Sequence, residues 1–143
     1  MTRTRAASLL FSLALLLPGA MPAAAAEPSS RLDYGETACH NRSILGFITS
    51  DFGYRAHHYL KADIAIAEIR DMGLNRLELR DETHPVEREY CFATAITTDG
   101  ETRALWYLIE RGWGFAGIGS NIEFCLSGLD PWYVYGAQCA SLR

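Results

Sequence analysis

The stretch Arg80 to Glu89, RDETHPVERE, gathers Asp81, Glu82, Glu87 and Glu89 around His84. Carboxylates beside an imidazole are the parts of general acid–base chemistry. A hydrolase built on Asp81, Glu82, His84 and Glu87 is therefore one reading. No matched nucleophile accompanies them: Ser120 and Ser127 lie near glycines, but neither sits in G-x-S-x-G. Alternating charge ahead of a strand is more simply a solvated loop and an ion-paired strand face. His57 and His58, with His40 or Asp51, have the donor types of a metal site. Neighbours on a helix point about 100° apart, so the two histidines cannot easily share one ion. Near a helix C-terminus they are more simply favourable charges, and no metal is expected.

GWGFAG, Gly112 to Gly117, matches G-x-G-x-x-G. A dinucleotide site needs a helix starting at the last glycine, so that its N–H groups meet the pyrophosphate. The residues that follow, Ile118 to Phe124, read as a turn and a strand. A glycine bend is the expectation, and no cofactor.

Four cysteines, Cys39, Cys91, Cys125 and Cys139, are spread too widely for zinc ligation or a C-x-x-C redox pair. An even count in an exported chain reads as two disulfides. Of the three possible pairings, Cys39–Cys91 with Cys125–Cys139 is preferred. The second closes a short C-terminal loop, and the first ties the N-terminal segment to a central strand. Each would contribute on the order of 3 kcal/mol.

Export is read from residues 1–26. Arg3 and Arg5 open the chain, Leu9 to Leu17 are apolar, and Ala24 and Ala26 suit a signal peptidase. The apolar run is shorter than the roughly 20 residues a bilayer span requires. Cleavage after Ala26 leaves residues 27–143 as a single domain, with no stable membrane insertion. The whole chain has 13 Lys and Arg against 17 Asp and Glu, formally −4. Loss of Arg3 and Arg5 deepens this, which disfavours nucleic acid, whose binding needs clustered cations. Lys61 is the sole lysine. The arginine-rich, alanine-rich composition fits a bacterial genome rich in GC, and so a periplasmic or secreted protein.

The elements that must position these residues follow from periodicity. From Asn41, the residues Ile44, Phe47, Ile48, Phe52, Tyr59 and Leu60 recur at helical spacing, with Ala56 on the same stripe. Asn41 or Ser43 would cap the helix. Gly46 and Gly53 weaken it, unless they let it lie close on a sheet. Alternation then predicts a strand over Ala62 to Ile69, a turn at Asp71-Met72-Gly73, and a further strand through Leu77 and Leu79. Arg88 to Thr98 and Thr102 to Glu110 flank Asp99-Gly100, a strong hairpin signal. Ile118 to Leu126 adds a strand, and Val134 to Ala140 a short edge. The fold class is α+β: one N-terminal helix packed on an antiparallel meander of four to six strands, with two disulfides.

The segments YCFATAITTDG, GFAGIG, IEFC and GLDPWYVYGAQC resemble a group of small exported bacterial proteins sharing the frame Y-C, D-G, G-F, F-C, G-L-D and a final Cys. The resemblance spans roughly Cys39 to Arg143. It implies a common scaffold of cysteines, turns and sheet aromatics, and no catalytic residue.

The aromatics of the last third carry the remaining expectation. Most should be core. Exposed ones at the C-terminal end of the sheet, around Gly114, Phe115, Asp130, Trp132, Tyr133 and Tyr135, would suit a protein or glycan surface. The functional expectation is a non-enzymatic, inhibitor-like or binding module for an envelope protein or cell-wall component. The alternatives are the hydrolase above and a purely structural envelope protein.

Overall fold

The computed structural model describes residues 37–113 and 119–143. Residues 1–26, where a leader is expected, and the candidates Gly114 and Phe115 lie outside the described residues. A short 3₁₀ turn, Ala38–His40, leads into helix α1, Arg42–Arg55, which continues through a single π turn, Ala56–Leu60. Strands β1 (Ile66–Glu78), β2 (Glu87–Thr97), β3 (Thr102–Arg111) and β4 (Ser120–Leu126) follow, then a kinked 3₁₀ segment, Ala137–Leu142. The strands form one antiparallel sheet in the order β1-β2-β3-β4, a meander with α1 against one face. This is the α+β layout expected, with four strands among the described residues.

Asn41 starts α1. Its side-chain oxygen accepts from the amides of Ser43 (2.9 Å) and Ile44 (3.4 Å), which satisfies donors that lack intrahelical partners. The buried stripe is Ile48, Phe52 and Ala56, spaced by four. Phe47 and Tyr59, placed on that stripe by the sequence, face water instead. Phe47 is one residue out of phase with Ile48. Tyr59 is turned outward by the π turn, which takes an extra residue to complete its circuit. Lys61, at φ 54°, ends the helix in the left-handed region. A Cβ added at Gly46 or Gly53 would meet nothing within 4 Å, so close approach to the sheet does not explain them.

Strand alternation sends Cys91, Ala93 and Ala95 of β2, Leu105, Tyr107 and Ile109 of β3, and Phe124 and Leu126 of β4 towards α1. The opposite face buries Tyr90, Leu108 and Cys125 under Cys139 and Leu142 of the C-terminal segment. Two disulfides join these layers: Cys39–Cys91 on the helix side and Cys125–Cys139 on the other. The Tyr107 hydroxyl donates to the Cys39 carbonyl at 2.6 Å, inside the core.

Two further sequence expectations are corrected. Asp71-Met72-Gly73 is not a turn between strands. Asp71 takes φ 55° and the register slips between Arg70 and Gly73, so β1 absorbs the irregularity as a bulge and stays paired with β2. The ring of Phe92, opposite Gly73, lies so close that a Cβ there would meet it at 2.6 Å. Val134 to Ala140 is not an edge strand. The amides of Val134 and Tyr135 donate to the Asp130 carboxylate at 3.0 and 2.9 Å, and Gly136 turns at φ 75°. Side-chain capture of these amides offers the backbone an alternative to a ladder.

Candidate functional site

A groove of about 600 Å³ opens between the end of α1 and the loop that follows β4. Tyr54 and Tyr59 form the helical wall; Trp132, Val134 and Tyr135 form the loop wall. Phe52, Phe124, Leu126 and Leu129 make the floor. Tyr54, Tyr59 and Trp132 are 54, 61 and 62% exposed, which is unusual for large rings gathered around one concavity. Tyr54 stacks on His58 with ring centres 4.0 Å apart, and the His58 imidazole is 2.9 Å from the Tyr54 carbonyl. The π turn thus fixes where this wall stands.

Arg55 and Asp51 lie one helical turn apart at the groove, with nitrogen and oxygen 2.7 Å apart. The angle is not that of a hydrogen bond, so the contact is one of charge. The Arg55 guanidinium also lies over the Phe124 ring, 4.7 Å from its centre. Asp130 has both oxygens committed to loop amides. Burial raises the Tyr135 phenol above its ordinary value, and the charge of Glu123 adds to this.

The sequence candidates divide accordingly. Asp130, Trp132 and Tyr135 are brought together at the groove, Asp130 as the residue that shapes the loop. Tyr133 is exposed at φ 53° and does not line it. The helical half, Tyr54, Arg55 and Tyr59, was missed by sequence reasoning. Its signal was the dense aromatic run YRAHHYL at the helix end.

The acidic stretch takes a different form. Asp81 accepts from the Thr83 hydroxyl and from the amides of Thr83 and His84, each at 2.7 Å. Those bonds, the Thr83 hydroxyl first, hold its carboxyl down at about 2. The His84 Nδ1 atom meets both the Thr83 hydroxyl (2.8 Å) and Asp81 (3.1 Å). A nucleophile relay needs the imidazole to bridge through its two different nitrogens; here one nitrogen serves both neighbours. Glu87 pairs with Arg111 at 3.2 Å, and Glu89 with Arg111 at 2.7 Å and with the Ala38 amide at 2.8 Å. On the other face Arg88 bonds Glu110 at 2.8 Å. Glu87 to Glu89 therefore fasten strands together.

His57 and His58 meet edge to face, 5.0 Å between ring centres. Cys39, Cys91 and Glu89 bring donor atoms within 4.8 Å of one another, but the two sulfurs are bonded to each other and are not thiolate ligands. Gly112, at φ 76°, accepts the chain's turn, and its amide donates to the Gly119 carbonyl at 3.0 Å. The next described element is the strand Ser120–Leu126; Gly114 to Gly117 of the motif lie outside the described residues.

Fold and groove define a disulfide-stapled helix-on-sheet domain with an aromatic cleft at one end. No protein-family model, no curated protein and no solved structure matches the chain.

Proposed function

We propose that the protein is exported and works as a non-enzymatic binding module, seating an envelope protein or cell-wall component in the groove between α1 and the Trp132 loop. One observation carries this reading: solvent-exposed rings from two separate elements converge on one concavity of a size typical for ligand sites. Two disulfides fit an oxidising compartment, and among the described residues no helix is long and apolar enough to cross a membrane. The leader at 1–26 supports delivery to the periplasm or beyond.

The test is crosslinking of the tagged protein in intact cells, with Trp132→Ala and Tyr59→Ala beside the unchanged chain. A dominant crosslinked species that both substitutions remove supports the module. Crosslinks indifferent to both, in proteins with unchanged melting temperature, overturn it. Intact mass of the exported chain should place its first residue at Glu27.

A further inference from the structure

We propose that the ligand of the groove is an uncharged saccharide chain, a deepening that rests on the binding-module reading above. Shape is the first argument. The groove is a cleft of about 600 Å³, within the usual range for small ligands, whereas a globular partner typically covers a broad patch of roughly 800 Å² on each side. A chain laid lengthwise meets both walls.

The walls supply the second argument. The faces of an aromatic ring are electron-rich. A pyranose ring presents a face of slightly positive C–H bonds, which stacks on such a surface. Tyr54 and Tyr59 on one wall and Trp132 on the other offer rings that need no rearrangement to be reached. Tyrosine hydroxyls can donate to and accept from sugar hydroxyls at the rim.

Charge decides between ligand classes. Arg55 is neutralised by Asp51 and lies over the Phe124 ring, and Asp130 is spent on its own loop. Among its described residues the cleft therefore presents no uncompensated cation to attract a polyanion and no free carboxylate to attract an amine. The acidic chain as a whole repels polyanions further. Arg55 keeps N–H donors beyond its contact with Asp51, suited to hydroxyl or amide-carbonyl acceptors on an uncharged chain. A lipid tail would instead need a closed apolar channel, and this cleft is open and edged with polar groups.

The experiment titrates the exported chain with chitotetraose and cellotetraose, with polygalacturonate and an apolar peptide as contrasts. Binding is followed by calorimetry and by the indole N–H resonances. The expected result is saturable binding of at least one uncharged tetrasaccharide, a shift of the Trp132 indole, and at least a tenfold loss of affinity in Trp132→Ala and Tyr59→Ala. Tyr59→Phe, which keeps the ring and loses only the hydroxyl, should retain more affinity than Tyr59→Ala. Phe92→Ala, which removes an exposed ring on the opposite sheet face, should also bind normally. No saturation by either uncharged tetrasaccharide at millimolar concentration overturns the saccharide proposal, as does binding of polygalacturonate or the peptide alone, or affinity that Trp132→Ala leaves intact. If Trp132-dependent crosslinking survives any of these results, only the saccharide assignment falls. If that dependence is also lost, the groove itself is the wrong surface.

Discussion

Tyr107 ties the first disulfide to the sheet through its phenol. The ring is fully buried and its hydroxyl donates to the Cys39 carbonyl at 2.6 Å. Burial, with the Glu89 charge behind it, holds the phenol well above its ordinary range, so it remains a donor at any ordinary pH. Tyr107→Phe leaves that carbonyl without its partner and should lower the unfolding free energy by about 1–3 kcal/mol, measured by urea titration. Asp99 belongs to the hairpin turn. The Thr97 hydroxyl, then Arg103 and the Glu101 amide, hold its carboxyl at about 2. An unfolded aspartate titrates near 3.9. The folded carboxyl lies below that value, so its stabilisation is complete above the unfolded pKa and disappears as pH falls through about 2. Asp81 behaves alike. The urea midpoint should therefore drop between about pH 4 and pH 2, and Asp81→Asn with Asp99→Asn should flatten that drop. Of these details the Asp99-Gly100 turn was readable in the sequence, because its chemistry is local. The Tyr107 bond, between residues 68 positions apart, was not.

Elements read best where one period governs them. Strands β2 and β3 and the start of α1 were legible from alternation, a hairpin pair and an N-cap. Failures came where a side chain or a bulge competed with the period. Val134 and Tyr135 have strand-forming side chains, yet Asp130 captures their amides. The π turn at Ala56–Leu60 rotates Tyr59 off the core stripe and into the groove wall, which is why half of the site escaped a straight-helix count. Gly46 is a further test at this scale. It is exposed within α1, and a Cβ there meets nothing. Gly46→Ala should raise stability by about 1 kcal/mol, seen as a higher melting temperature with binding unchanged.

The described residues form one sheet, with a helix on one face and a short C-terminal cap on the other, held by two disulfides. The pairing was readable from spacing and from the strand to which Cys91 belongs. Cys125–Cys139 closes a loop with a sequence separation of 14 and carries the Trp132 wall with it. Replacing both by serine should cost about 3 kcal/mol of stability, measured by urea titration. It should also weaken groove binding more than Gly46→Ala does. One feature of β1 reaches beyond the single chain. Among the described residues it is an outer strand of the sheet, and hydrogen-bonding groups on an outer side would, in a straight strand, recruit another molecule and begin a stack of sheets. Its register slips at three places, and Asp71 turns left-handed in the middle. A second chain would find no even row of partners there, so the same irregularity that made one strand read as two blunts this edge against sheet-to-sheet stacking.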